Sequence, residues 1–104
     1  MDINTERRRV YMTRIKHLEN KGFFIFDDDE KETLAELTYK KNGDILIFDH
    51  TYVSDKLRNQ GIAGKLLNTA GIYARENKFK IKPVCSYVVK KFESPEFDDV
   101  NIDK

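Results

Sequence analysis

The chain has a single cysteine and lacks any apolar run long enough to span a membrane. One cysteine cannot close an intrachain disulfide, so the sequence fits a reducing compartment and predicts a cytoplasmic protein. Because a membrane helix needs about 20 consecutive apolar residues, the sequence also predicts no membrane partner.

The chain also has almost no excess of positive or negative charge. The formal net charge is +1, although 36% of the residues are charged. A general nucleic-acid binder needs a concentrated positive field, so the balance makes nucleic acid an unlikely partner. The densest basic cluster is Arg7-Arg8-Arg9, in an N-terminal arm of residues 1–12. Contact with nucleic acid and a simple solvated terminus are both compatible with that cluster.

At 104 residues, the chain has room for one domain, which we expect to occupy residues 13–104 with a monomer favoured. No metal site is expected. The acidic segment Asp27-Asp28-Asp29-Glu30 lacks the glycine that a calcium loop requires at its sixth position, where Glu32 stands instead.

The first half of the chain predicts an antiparallel meander of four strands. Asn42-Gly43 is a strong hairpin signal and leads into a strand from Asp44 to Val53. This strand is apolar on both faces, which predicts helices packed against both faces of the sheet. Simple alternation places its side chains on two faces, one with Leu46, Phe48, His50 and Tyr52, the other with Ile45, Ile47, Asp49, Thr51 and Val53.

The second half predicts a helix and a returning strand. An apolar stripe predicts a helix from about Ile62 to Asn77, followed by a short strand from Lys80 to Val84. A strand–helix–strand crossover pairs its two strands in parallel. Pro83 cannot donate to a ladder and therefore restricts its strand to an edge or a splayed position. The fold class is α+β: a mostly antiparallel sheet with one parallel β-α-β crossover.

The loop before the long helix carries the clearest binding signal. The segment 58–64 has glycine at 61 and 64 and alanine at 63, so a ligand can come close to the helix N-terminus. The first N–H groups of a helix lack intrahelical acceptors and attract anions, which predicts a phosphorylated ligand. Ordinary turn and helix-start geometry is the other interpretation. A nucleotide-binding P-loop does not fit, since Asn59 and Leu66 replace its glycine and its Ser or Thr.

The pattern Arg58-x-x-Gly61-x-Ala63 resembles the pyrophosphate loop of the GCN5-related N-acetyltransferases. The resemblance covers roughly residues 13 to 100 and points to the small, single-domain, YjdJ-type branch, which usually has glycine where this chain has Asn59. It is carried by pieces that occur in order: His50-Thr51-x-Val53, Leu57-Arg58-x-Gln60-Gly61-Ile62, Tyr73-Ala74-Arg75, Lys80-Ile81-x-Pro83-x-Cys85-Ser86-Tyr87-Val88 and Pro95-Glu96-Phe97.

This resemblance implies acetyl-CoA as cofactor and an unidentified amine as acetyl acceptor. In this superfamily, pantetheine inserts between two diverging parallel strands and bonds to their backbone. The residues implied to bind the cofactor are Thr51, Tyr52, Val53, Arg58, Asn59, Gln60, Gly61, Ile62, Ala63, Gly64 and Lys65.

Cys85 and His50 are the candidates for chemistry. Cys85 directly precedes a helix expected to begin with Ser86 as its N-cap, where a thiolate is stabilised, and His50 lies on the strand expected to neighbour it. A small buried hydrophobe and a hydrogen-bonded core histidine are the structural alternatives. The resemblance implies that the cysteine faces the acetyl group, which allows transfer either through Cys85 or directly to the amine.

Two functions therefore follow from the sequence. One is an acetyl-CoA-dependent N-acetyltransferase with Cys85 and His50 as catalytic residues. The other is a CoA-binding module that senses or buffers the cofactor without turnover. Release of CoA that depends on an added amine distinguishes the two.

Overall fold

The structure, a computed structural model, describes residues 14–104, so the predicted arm of residues 1–12 lies outside the described residues. The domain boundary at residue 13 stays a prediction. The elements in chain order are β1 (Lys16–Leu18), β2 (Gly22–Phe26), β3 (Thr33–Asn42), β4 (Ile45–Val53), a 3₁₀ turn (Asp55–Leu57), α1 (Ile62–Asn77), β5 (Lys80–Pro83), α2 (Ser86–Lys91) and a second 3₁₀ turn (Pro95–Phe97).

The five strands form one mixed sheet in the order β1-β2-β3-β4-β5. The first four are antiparallel neighbours, and β4 and β5 run parallel from the pair Ile45–Lys80 to the pair Phe48–Pro83. Asn42 pairs with Ile45, so the predicted hairpin is present. Pro83 ends β5 at the edge of the sheet, as expected for a residue that cannot donate to a ladder. These features confirm the predicted α+β fold class.

The helices differ from the expectation in one respect, because both lie on the same side of the sheet. Tyr73 of α1 packs against Phe23 of β2, with ring centroids 5.9 Å apart. The segment after α2 returns to α1, since an added Cβ on Gly71 would lie 3.3 Å from the ring of Phe97. Tyr87 of α2 also reaches α1, with its hydroxyl 3.6 Å from an added Cβ on Gly64. Within residues 14–104, the opposite face is half-buried or exposed.

A β-bulge at Asp49 changes which side chains of β4 face the helices. Phe48 pairs with Tyr39 and His50 with Thr38, so Asp49 is an extra residue without a cross-strand partner of its own. Such an insertion reverses the alternation of side chains beyond it.

The two-face assignment from simple alternation is therefore wrong beyond Phe48. Thr51 pairs with the buried Leu37 and so lies on the helix side, whereas His50 pairs with Thr38 on the opposite face. The helix side carries Leu46, Phe48, Thr51 and Val53, and the opposite face carries Ile45, Ile47, Asp49, His50 and Tyr52.

The charged residues that flank His17 in the sequence favour a surface position, but its side chain is partly buried in an aromatic cluster. Its ring stacks on Phe23 with centroids 4.3 Å apart and meets the edge of Tyr73 at 4.3 Å. Its Nε2 lies 2.6 Å from the hydroxyl of Tyr39. The charges that flank His17 in the sequence did not reveal these partners, which come from distant parts of the chain.

His17 makes the stability of the domain depend on pH. Burial lowers the pKa of His17, and the negative charge of Glu19 opposes this effect only in part. A lowered pKa in the folded state means that the contribution is fully present above the unfolded value and is lost as pH falls through the folded value. We expect the free energy of unfolding to decrease between pH 7 and pH 5, as measured by urea denaturation. His17→Phe should flatten this slope; an unchanged slope in that variant would assign the effect to other groups.

Candidate functional site

The backbone N–H groups at the N-terminus of α1 have no capping side chain to accept their hydrogen bonds. Gly61 caps the helix in a left-handed conformation, with φ of 69°, and has no side chain to accept a hydrogen bond. The first intrahelical bond runs from the N–H of Lys65 to the carbonyl of Gly61, at 3.1 Å. The N–H groups of residues 62–64 therefore precede the helical ladder. The first turn also contains no acidic residue, so the positive end of the helix dipole is not neutralised there.

These donors open into a cavity of about 250 Å³ between α1 and α2. Most of the predicted cofactor-binding residues line it. The complete lining consists of Val53, Leu57, Arg58, Asn59, Gly61, Ile62, Ala63, Gly64, Tyr87 and Lys91.

Four of the predicted cofactor residues are not part of this lining: Thr51, Tyr52, Gln60 and Lys65. Gln60 is exposed, and the backbone N–H of Lys65 is already used within the helix. Tyr52 points to the opposite face of the sheet and is 43% exposed.

The loop residues before α1 adopt conformations that suit their side chains. Asn59 has a φ of 65°, a left-handed conformation that asparagine tolerates better than most residues. Asparagine can therefore stand where the related branch usually has glycine. The Nε of Arg58 lies 2.8 Å from the Asp55 carboxylate, so this cation is held at the cavity by an ion pair.

Tyr87 and Lys91 are lining residues to which the sequence analysis gave no role. They lie four residues apart on α2, on the same side of that helix, and the Lys91 ammonium lies 5.8 Å from the centroid of the Tyr87 ring. Burial, and to a lesser extent the neighbouring Cys85, raise the pKa of the Tyr87 hydroxyl. The hydroxyl therefore stays protonated at neutral pH and can donate a hydrogen bond. The i, i+4 spacing was visible in the sequence, but the proximity to residues 61–64 was not.

A gap opens beside the cavity where β4 and β5 separate. Their pairing ends at Phe48 and Pro83, and the N–H groups of Val84 and Cys85 both donate to the carbonyl of Phe48. Beyond this point β4 continues to Val53, whereas the segment that follows β5 turns into α2. The N–H of Ser54 donates to Leu34 of β3 at 2.7 Å. Because backbone groups alternate between the two edges of a strand, those of Thr51 and Val53 point to the edge that β5 has left.

Cys85 lies at this gap on the helix side. Its Sγ is 3.1 Å from the Oγ1 of Thr51, and either group can be the donor. The residue is partly buried, and Cys85 itself, rather than Ser86, is the N-cap of α2.

The structure does not bring His50 to Cys85. The Nε2 of His50 lies 3.3 Å from the Glu36 carboxylate on the opposite face of the sheet. The expected His50–Cys85 pair is therefore not formed, since the bulge at Asp49 turns His50 away from the helices.

Among residues 14–104, no group of three or more His, Cys, Asp or Glu side chains is arranged to hold a metal ion. Neither described helix is long and apolar enough to cross a membrane.

The chain matches the model of the GCN5-related N-acetyl-transferase family over residues 22–100. It is similar to the solution structure of a GCN5-like candidate N-acetyltransferase from Staphylococcus aureus, with 41% sequence identity and a TM-score of 0.69; the match covers 85% of this chain and 86% of the other. A crystal structure of a candidate acetyltransferase from Agrobacterium tumefaciens is similar in fold, with 21% identity and a TM-score of 0.55 over 89% of this chain and 75% of the other.

The matched region contains the whole strand–loop–helix segment and Cys85. The chain thus belongs to the GCN5-related N-acetyltransferases, in a small single-domain form, and this membership assigns it as an acetyltransferase.

Proposed function

We propose that the protein transfers an acetyl group from acetyl-CoA to an amine, with the cofactor held at the N-terminus of α1. The observation that carries the proposal is an uncapped helix N-terminus that opens into the 250 Å³ cavity. Such a terminus binds phosphate through backbone donors and the helix dipole. The family typically uses this cofactor.

The residues of the cavity match the chemistry of CoA. The N–H groups of residues 62–64 can donate to the pyrophosphate, and Lys91 adds a positive charge at the cavity wall. The backbone groups of Thr51 and Val53 face the gap. They can form hydrogen bonds with the amides of pantetheine, which would then take the place of a neighbouring strand. When bound, acetyl-CoA supplies an acetyl group activated as a thioester.

Cys85 is proposed to accept the acetyl group before the amine does. Its sulfur attacks the acetyl carbonyl, a new carbon–sulfur bond forms, and the bond to the sulfur of CoA breaks, so that one thioester replaces another. The thiol proton leaves with CoA. The Thr51 hydroxyl, 3.1 Å away, can hold the Cys85 sulfur in position. The location in the cytoplasm and the monomeric state remain predictions from the sequence.

The proposal is tested by amine-dependent release of CoA. We expect the protein to release CoA from acetyl-CoA faster in the presence of at least one member of a panel of polyamines, aromatic amines and lysine peptides. The measurement is free thiol with time, with each amine alone and the protein alone as controls. Tight CoA binding without amine-dependent release across the panel would favour the CoA-binding module instead.

A further inference from the structure

The outer face of the sheet, opposite the helices, has no covering layer within the described part of the chain. Aromatic side chains lie across it: Phe24 and Phe26 of β2 stack with ring centroids 5.7 Å apart, and Tyr52 of β4 is 43% exposed. Two carboxylates accompany these rings. Glu36 of β3 stands between its cross-strand neighbours Phe24 and Tyr52, and Asp49 lies at the bulge of β4. Because sheets normally bury an apolar face against a further layer, this face is a surface on which another segment can pack.

The two carboxylates of the outer face favour a cationic occupant. Within residues 14–104, neither Glu36 nor Asp49 forms an ion pair with a lysine or an arginine. Glu36 lies 3.3 Å from the His50 ring, which is charged only when protonated, and Asp49 accepts a 2.9 Å hydrogen bond from the neutral Thr38 hydroxyl. The Glu36 side chain is only 25% exposed. A partly enclosed charge attracts an opposite charge more strongly than a fully solvated one does.

The described part of the chain begins at the rim of this face. Arg14 forms an ion pair with Asp28 in the turn between β2 and β3, with Nη1 and Oδ1 2.5 Å apart. Lys16 of β1 forms an ion pair with Glu30 in the same turn, and its ammonium lies 5.9 Å from the centroid of the Phe26 ring. The segment that precedes Arg14 is therefore attached beside the aromatic side chains of the outer face.

The arm of residues 1–12 has the composition that this face favours. Arg7-Arg8-Arg9 supplies three guanidinium groups, each of which can pair with a carboxylate through two parallel N–H bonds. Val10-Tyr11-Met12 follow the arginines and come just before the point of attachment. The order along the arm thus matches the order across the sheet, since the rings of β2 lie nearer to β1 than Glu36 and Asp49 do.

The distances also fit. An extended chain spans about 3.3 Å per residue, so Arg9, which stands five residues before Arg14, can reach about 17 Å from it. Neighbouring strands lie about 4.8 Å apart, which places β3 about 10 Å and β4 about 14 Å from β1. The arginines can therefore reach both Glu36 and Asp49.

We propose that the arm docks on the outer face of its own domain, with Arg7-Arg8-Arg9 paired to Glu36 and Asp49. The apolar residues that follow the arginines pack on the aromatic side chains of β2. The covalent link favours the arm over a second copy of the chain, because a tethered segment has an effective concentration on the order of 1 mM. The arginine pairs lie near the surface, so high salt weakens the docking.

A nitroxide on the arm reports where the arm lies in the full-length chain. In the variant Thr5→Cys/Cys85→Ala the only cysteine is at position 5, so one label attaches there. Compared with the same sample after reduction of the nitroxide, the amide signals of Phe24, Glu36 and Tyr52 should lose most of their intensity. The signals of α1, on the other side of the sheet, should keep theirs. If the outer-face signals stay at full intensity, the arm does not dock there and the inference is wrong.

Charge substitutions in the labelled protein test the pairing itself. Arg7→Glu/Arg8→Glu/Arg9→Glu should return the outer-face signals to full intensity. Glu36→Gln/Asp49→Asn should do the same, because the amides keep the shape and the acceptor oxygen but remove the charge. Lys90→Glu, on a side chain of α2 that is 82% exposed, is the control reversal and should change nothing. A loss of intensity that persists in both sets of charge variants would overturn the proposed pairing.

A mixed sample distinguishes the arm of the same chain from the arm of another copy. Protein that carries ¹⁵N but no nitroxide is mixed with protein that carries the nitroxide but no ¹⁵N. We expect the outer-face signals to keep their intensity in this mixture. A loss as strong as in the singly prepared sample would make a second copy of the chain the occupant, and the inference would be wrong.

Discussion

Gly61→Glu is expected to weaken CoA binding by at least about a hundredfold. Position 61 caps α1 with φ of 69°, and an added Cβ meets nothing within 4 Å. The new side chain therefore has room, but it brings a carboxylate to the N–H groups proposed to hold the pyrophosphate. Each charge-assisted bond lost costs about 1.5–3 kcal/mol, and repulsion between like charges adds to that cost. Isothermal titration calorimetry with CoA measures the loss.

Gly43→Glu is the matched control for this substitution. Gly43 also has a left-handed φ, of 63°, and an added Cβ there also meets nothing within 4 Å. Both variants gain the same charge and the same backbone strain, so their melting temperatures should fall by similar amounts. Only Gly61→Glu should lose affinity. Equal CoA binding by the two folded variants would reject the site at α1.

Cys85→Ala is expected to abolish acetylation of the protein and to reduce amine turnover by roughly a thousandfold, because it removes the proposed nucleophile. Intact mass after incubation with acetyl-CoA should show one added acetyl group in the wild type and none in the variant. The Kd for CoA should be retained, since Cys85 is not among the residues that line the cavity.

Thr51→Val separates the hydrogen bond at Cys85 from the thiol itself. It keeps the shape of the side chain but loses the hydroxyl that lies 3.1 Å from the sulfur, so acetylation of Cys85 should be slower but still present. If Cys85→Ala turns over amines as fast as the wild type, the covalent route is wrong. Transfer would then go directly to the amine, with His50 or a water as its base.

Local signals in the sequence predicted much of the fold. The apolar stripe of α1 gave the observed bounds Ile62–Asn77, because period and capping are encoded within the segment itself. Pro83 predicted an edge or splayed position because proline lacks an N–H, a property of that single residue. The glycine-containing loop likewise predicted backbone donors at the start of that helix, and the structure places Gly61, Ile62, Ala63 and Gly64 at the wall of a cavity.

The bulge at Asp49 could not be predicted from local signals in the sequence. Of the features that were missed, it changes the candidate site most. The pattern around it continues to alternate plausibly, since both Thr51 and Tyr52 suit a strand. Only the pairing of His50 with Thr38 and of Phe48 with Tyr39 reveals the extra residue. That single insertion exchanges the faces of Thr51 and His50, and so gives Cys85 a threonine instead of a histidine as partner.

Contacts between segments that are far apart in the sequence could not be predicted from it either. The hydroxyl of Tyr39 that meets His17 lies on another strand, and Tyr87 reaches the cavity only because α2 packs beside the start of α1. Composition around each residue suggested a surface position for His17 and gave no role to Tyr87. Tertiary packing decided both.

Amide chemical shifts test most directly whether CoA binds at the N-terminus of α1. Titration of ¹⁵N-labelled protein with CoA should move the signals of Ile62, Ala63 and Gly64 most strongly. A second cavity, of about 400 Å³, lies at the other end of α1 and is lined by Ala74, Arg75, Lys78, Phe79, Lys80, Asp99 and Val100. If the signals of that second group move while those of residues 62–64 stay in place, the account of this site is contradicted.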